Sequence, residues 1–422
     1  MDRTTKICVI GLGYVGLPLA RLFSTKYPTT GFDINEARVD ELMSGHDHTH
    51  EVSDVMMREA LTGGLRCTTD PAHIRDCNFY IVTVPTPVDI DDRPDLRPLI
   101  NASTIVGEVI SVGDIVVYES TVYPGVTEEE CLPVVEKISG LKLNKDFHAG
   151  YSPERVNPGD KEHTIEKIKK VTSGSTPEAA DVIDRIYNSV LVNGTHKAPS
   201  IRVAEASKVI ENTQRDVNIA FMNELAKIFT AMNIDTHDVI EAASSKWNFI
   251  KLSPGLVGGH CIGIDPYYII QKAQLYGIIP RIITSARLLN NGMGDYVASR
   301  TIRLMNKKGT PVKDARILIL GVTFKENCPD TRNTKVVDIY TALHEYTDNI
   351  TIYDPIADAG NVKAEYGIEI TGSEPAGRYD AVILAVAHKA FENINVGNLL
   401  SDNAVVYDVK GILPRNIVDG RL

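Results

Sequence analysis

The sequence predicts an α/β chain in which two doubly wound, Rossmann-like domains are joined by a mostly α central segment built on a long helix. Three observations predict it. At the start, short apolar runs (Ile7 to Gly11, Tyr80 to Val84, Ile115 to Glu119) alternate with longer amphipathic stretches. That is the rhythm of a parallel sheet covered by helices on both faces. From about Ser200 to Lys308 apolar residues recur at helical spacing, above all from Val203 to Met232, a run longer than an average globular helix. After Gly309-Thr310-Pro311 the alternation resumes with four buried-strand patterns beginning at Ile317, Ile350, Ala381 and Val405. The segments expected are 1–199, 200–310 and 311–422. The outer two resemble each other in architecture, without a residue-level repeat.

With 422 residues, 43% of them hydrophobic, the chain has material for two or three packed domains. No apolar stretch reaches the length of a membrane span, and Met1 to Lys6 runs directly into the strand-like Ile7-Cys8-Val9-Ile10. No membrane association and a cytoplasmic location are the expectation. The formal net charge of −11 argues against a nucleic-acid partner, which would need clustered Lys and Arg. The six cysteines (Cys8, Cys67, Cys77, Cys131, Cys261, Cys328) form no C-x-x-C pair and have no His at zinc spacing. Neither a metal nor a disulfide framework is expected, and His48 and His50 read as a solvated loop.

Gly11, Gly13 and Gly16, with Tyr14 and Val15 between them, follow the first strand and open a helical pattern. Such a turn lets backbone approach a pyrophosphate and aims a helix N-terminus at it. The next strand ends in Asp33, which can accept from a ribose 2′-hydroxyl and would repel a 2′-phosphate. The cofactor favoured is NAD, although Arg38 nearby could stack on adenine or hold a phosphate. Val84-Pro85-Thr86-Pro87 and Glu119-Ser120-Thr121-Val122 each end a strand. Thr86, Pro87, Ser120 and Thr121 are therefore placed to line the cofactor cleft; a rigid turn is the other reading of the prolines.

A second feature is the glycine-rich run Pro254 to Pro266, which holds Gly255, Gly258, Gly259, Gly263, Cys261 and Asp265. A thiol among backbone amides is disposed to ionise and attack; a glycine turn with an incidental cysteine is the alternative. Lys208 and Asn212 lie one turn apart on the long helix. An ammonium and an amide donor suit a developing oxyanion, while a solvated surface charge is the ordinary place for lysine.

Taken together, Gly11 to Gly16, Val84 to Pro87, Ser120-Thr121-Val122, Ser152-Pro153-Glu154-Arg155, Glu205 to Lys208 with Asn212, Gly258-Gly259-His260-Cys261 with Asp265, and Phe324-Lys325 followed by Asp330-Thr331-Arg332 resemble the UDP-glucose/GDP-mannose dehydrogenase family in order and spacing. The resemblance implies an N-terminal NAD domain, a helical dimerisation segment and a C-terminal domain for uridine diphosphate. It implies a homodimer through the central helix and a four-electron oxidation that uses two NAD per product, by way of a thiohemiacetal and a thioester on Cys261. Sugar acids for surface polysaccharide would be the product.

In that resemblance Lys208 and Asn212 stabilise oxyanions. Glu154 acts as general base or positions water, and Thr121 and Asp265 orient it. Lys325 meets the diphosphate, Lys410 supplies a second phosphate contact and Arg332 reaches the cofactor. Arg155, Leu252, Ser253, Pro254, Gly255, Gly258 and Phe324 complete the substrate set. The segments Ser245 to Leu252 and Ser152 to Asp160 resemble the branch acting on UDP-N-acetylglucosamine or its galacto epimer. Asn157 or Asn248 could meet the acetamido group, and Trp247 is either pocket or core. The alternatives are a UDP-glucose or UDP-N-acetylmannosamine 6-dehydrogenase and, from another class, a non-catalytic nucleotide-sugar binding protein.

Overall fold

The computed structural model describes residues 4–87, 94–155, 164–259 and 261–422. Two compact units emerge, one of Met1–Glu211 with Tyr267–Tyr276, the other of Asn212–Pro266 with Gly277–Leu422.

The first unit is organised on eight strands: β1 (Ile7–Ile10), β2 (Thr29–Phe32), β3 (Arg66–Thr68), β4 (Phe79–Val82), β5 (Ile115–Tyr118), β6 (His148–Tyr151), β7 (Lys170–Gly174) and β8 (Thr195–Lys197). Their order is β3-β2-β1-β4-β5-β6-β7-β8, parallel except for the β6·β7 pair. The central strand β1 is buried along its whole length, as its unbroken apolar run requires. It pairs with β2 on one side and β4 on the other. The order reverses there, so the turns after β1 and β4 part and leave a crevice at the strands' carboxyl ends.

The second unit carries β9 (Ile317–Leu320), β10 (Ile350–Tyr353), β11 (Tyr379–Leu384), β12 (Leu400–Asp408) and β13 (Gly420–Arg421), in the order β10-β9-β11-β12-β13 and parallel throughout. Side chains alternate between its faces with the strand period. Ile317, Ile319, Ala381, Ile383, Val405 and Tyr407 pack with Met293, Val297 and Met305. Leu318, Leu320, Val382, Leu384 and Val406 pack on the other face with Phe391, Val396 and Leu399. The fold is thus α/β with two Rossmann-like domains joined by a long helix.

That helix spans Ile201–Met232 and stops at Asn233, whose φ of 58° no helix continues through. Asp235 then caps the next helix, Thr236–Ser244, by accepting from the His237 and Asp238 amides. Helices Asp265–Leu275, Arg281–Asn291 and Met293–Lys308 follow. Among the described residues no helix is long and apolar enough to cross a membrane, and no cluster of His, Cys, Asp and Glu could hold a metal ion.

A residue-level repeat does exist at one point, contrary to the sequence expectation. Gly11 N donates to Phe32 O and Leu12 N to Asp33 Oδ2, each at 2.8 Å. In the second unit Gly321 N donates to Tyr353 O at 2.9 Å, and Val322 N to Asp354 Oδ2 at 2.8 Å. Both glycines have positive φ, 93° and 90°. The same turn is built twice, and unequal spacing between glycine and aspartate hides it from a fixed-period search.

Candidate active site

The turn after β1 shows what each glycine is for. A Cβ on Gly16 would lie 1.8 Å from Gly11 O and 2.4 Å from Thr83 Oγ1, so helix Gly16–Ser24 packs this close only without a side chain. At Gly13 a Cβ would meet nothing within 4 Å; protein packing does not demand that glycine, and the open space beside it suits close approach of a ligand. No side chain caps the helix, which leaves its first turn to serve an anion. Beside it lies a cavity of about 420 Å³ lined by Gly13, Tyr14, Asp33, Arg38 and Thr49 among others. These residues suit a dinucleotide.

Asp33 is half-buried and held by the Leu12 and Asn35 amides, with lone pairs left for a hydroxyl. Arg38, by contrast, is buried and engaged on every nitrogen. Nε donates to Leu12 O at 3.0 Å, Nη1 to Glu41 at 3.1 Å and Nη2 to Asp47 at 2.7 Å. Two carboxylates neutralise it, and its hydrogen bond to the Leu12 carbonyl braces the turn.

The strand-end turns after β4 and β5 are stapled to each other. Thr86 Oγ1 donates to Thr121 O at 2.7 Å and Ser120 Oγ to Val84 O at 2.6 Å, while Tyr268 Oη donates to Thr86 O. Pro87 ends the described part of this turn, its carbonyl accepting from Asp95 N at 2.7 Å.

Glu154 is buried next to a charge cluster that sequence reasoning missed. Lys170 Nζ sits 2.5 Å from Glu119 Oε2 and 3.5 Å from Glu154 Oε2, and Tyr187 Oη donates to Glu119 Oε1. Glu119, Lys170 and Tyr187 are completely buried. Burial works to lower the Lys170 pKa, but Glu119 and Glu154 outweigh it and carry the pKa upward. The lysine stays charged and holds Glu154 by one oxygen. Nothing in the spacing of residues 119, 154, 170 and 187 reveals this; the sheet order β5-β6-β7 brings them together. Arg155 turns to Glu211, at 2.6 Å. Glu205, three residues before Lys208, receives the Gly125 and Thr127 amides at 2.5 and 2.9 Å. Lys208 is buried, contrary to the solvated reading.

In the second unit Cys261 is exposed, in a turn whose carbonyl accepts from Asp265 N at 2.9 Å. Asp265 is buried and accepts from Asn212 Nδ2 at 2.5 Å. Ahead of it, Leu252 is half-buried, Ser253 exposed and Pro254 buried. Gly255 exchanges two hydrogen bonds with the buried side chain of Asn223, at 2.8 and 3.0 Å, a clamp no motif announced. A Cβ on Gly258 would come within 2.6 Å of Asn333 O, and one on Gly259 within 2.7 Å of the Phe324 ring. Gly259 N also donates to Arg332 O at 3.2 Å. The cysteine loop therefore rests on the turn that carries Phe324, Lys325 and Arg332.

A pocket lined by Gly258, Thr323, Phe324, Glu326, Lys335 and Lys410 with their neighbours lies at this turn. Lys410 Nζ stands 3.4 Å from Glu326 Oε2. The Lys325 carbonyl accepts from Thr323 Oγ1, and Arg332 pairs with Asp330 at 2.5 Å. Trp247 is 91% exposed and Asn248 exposed, so the tryptophan is not core. Asn157, the rest of the segment 156–160 and His260 lie outside the described residues.

Models of the UDP-glucose/GDP-mannose dehydrogenase family match the chain in three consecutive parts: the NAD binding domain over residues 5–191, the central domain over 202–292 and the UDP binding domain over 318–415. Over 423 residues, all of both chains, the sequence is 54% identical to a UDP-N-acetyl-D-glucosamine 6-dehydrogenase of Pseudomonas aeruginosa. It is 51% identical to the protein CapL of Staphylococcus aureus over 96% of each. Among solved structures, the UDP-D-ManNAc dehydrogenase of Pyrococcus horikoshii superposes with a TM-score of 0.88 at 28% identity, covering 99% of this chain and 98% of that one.

Proposed function

Because this chain belongs to the UDP-glucose/GDP-mannose dehydrogenase family and is an NAD-dependent UDP-sugar dehydrogenase, we propose that it oxidises the C6 alcohol of a UDP-N-acetylhexosamine, foremost UDP-N-acetylglucosamine, to the uronic acid. End-to-end identity of 54% with a UDP-N-acetyl-D-glucosamine 6-dehydrogenase carries the choice of sugar.

Gly11, Gly13, Gly16 and Asp33 would hold the dinucleotide, with Thr86, Pro87, Ser120 and Thr121 at the crevice. Bound there, NAD supplies a hydride acceptor for each of two oxidations, two per product. The chain's residues do the rest. Lys208 and Asn212 hold the C6 oxygen as its proton passes to the water oriented by Thr121 and Asp265, then the oxyanion formed when the Cys261 thiolate adds to the aldehyde. The thiohemiacetal keeps the carbon in place for its second oxidation, to a thioester. Glu154, held by Lys170, accepts a proton from the water that cleaves the C–S bond, with Thr121 and Asp265 orienting that water. The acid departs and the thiol is restored. Lys325 and Lys410 serve the diphosphate, and Arg332 the cofactor. Arg155, Leu252, Ser253, Pro254, Gly255, Gly258 and Phe324 shape the sugar's surroundings.

A homodimer through the long helix is part of the proposal. Val203, Ile210, Phe221 and Ile228 are seven, eleven and seven residues apart, which puts them on one helical face. Each is about half exposed, an apolar stripe suited to a partner.

The test is NADH formation with UDP-glucose and the UDP-N-acetyl derivatives of glucosamine, galactosamine and mannosamine. UDP-N-acetylglucosamine is expected to give the highest kcat/KM and two NADH per acid. One NADH per turnover with free aldehyde, or steady acid production by Cys261→Ala, would refute the covalent route; preference for UDP-glucose would refute the sugar.

A further inference from the structure

A third cavity, of about 370 Å³, lies in the second unit and shares no lining residue with the pockets above. The end of helix Ile201–Met232, helix Met293–Lys308, β12 and the segment up to β13 enclose it. Five charged side chains line it: Asp235, Asp419, Arg300, Arg415 and Arg421.

Both carboxylates are spent. Asp235 accepts from Arg421 Nε and Nη2 at 2.8 Å, from Arg415 at 2.9 Å and from the His237 and Asp238 amides. Asp419 pairs with Lys308 at 2.6 Å and accepts from Val406 N at 2.9 Å. Arg415 is further matched by Asp238 at 2.8 Å. Arg300 differs: among the described residues it forms no ion pair, and its buried Nε has no hydrogen-bond partner. Tyr407, only 1% exposed, likewise has a hydroxyl without a partner. Buried phenols and guanidinium nitrogens are ordinarily hydrogen-bonded, and here the two residues that carry such unpartnered donors both line one cavity.

We propose that this cavity binds a small oxyanion, a carboxylate or a phosphate, between the Arg300 guanidinium and the Tyr407 hydroxyl. The planar fork of arginine matches either group in a two-point contact. With Asp235 and Asp419 neutralised by their own partners, the cavity's excess charge is the positive one of Arg300. A cation would find no free carboxylate there.

The test is calorimetric titration of the full chain, saturated with NAD and UDP to fill the active site, with inorganic phosphate and separately with glucuronate at fixed ionic strength. Binding of at least one is expected, and the stronger identifies the source. Arg300→Gln and Tyr407→Phe should each weaken it about tenfold, the effect of a lost charge-assisted hydrogen bond, with NADH production unchanged. Arg300→Lys, which keeps the charge and loses the fork, should fall between and covers the case in which Arg300→Gln does not fold. No binding of either anion, binding abolished by UDP, or affinity unchanged in the Arg300 and Tyr407 variants would overturn the assignment.

Discussion

Lys170 shows how much one side chain can carry. Its ammonium has no solvent and lies between two carboxylates, 2.5 Å from one and 3.5 Å from the other. Taking the cation away leaves Glu119 buried without its counter-charge, a loss that costs about 3–5 kcal/mol for such pairs. Lys170→Met is expected to lower the unfolding free energy by that amount in urea titrations. The double variant with Glu119→Gln should recover part of the loss, because the stranded charge is gone. Equal stability of the single and double variants would show that the pair is not coupled. No sequence pattern exposes this cluster. A lysine in a strand of mixed composition reads as an edge charge, and its burial is decided only by which strands become neighbours. Cys261, Asp265 and Asn212 could be singled out as candidates because glycine density and helical spacing are local properties.

At the scale of the element, the turn after β9 depends on Asp354. Its carboxylate accepts from the Val322 and Thr323 amides at 2.8 and 3.3 Å and faces His388 at 3.1 Å. Burial alone would raise its pKa, but the His388 hydrogen bond and the backbone amides bring it down to about 2. A depressed carboxyl pKa adds stability that is present above the unfolded value, near 3.8, and fades as pH falls through the folded one. The shift corresponds to about 2 kcal/mol. Asp354→Asn should therefore be less stable than the parent by roughly that much at pH 6. The gap should narrow between pH 4 and pH 2 in denaturant titrations, and a gap independent of pH would contradict the linkage. The strands themselves were legible as apolar runs. The repeated glycine-to-aspartate turn was not, since helices and loops of different length separate its two halves.

For the molecule as a whole, the exposed stripe of Val203, Ile210, Phe221 and Ile228 makes the long helix the place to test assembly. Phe221→Glu with Ile228→Glu should shift the chain from dimer to monomer in light scattering, without changing helix content by circular dichroism. A parent chain that is already monomeric would remove the proposal. Fold class was legible because two stretches of alternating runs flank one long helical period. Which face of the helix stays uncovered was not, because apolar residues recur on several of its faces and only packing separates them.

The seating of Gly258 and Gly259 against Phe324 and Asn333 has a mechanical corollary. With no side chains to act as a cushion, the strip bearing the sulfur and the bend it rests on would move as a single lever. In the proposed mechanism, whatever grips the bend at the diphosphate end would also fix where the nucleophile points. A nucleotide tail remote from the reacting carbon would thereby steer the chemistry, and truncated sugars lacking it would find the blade unset.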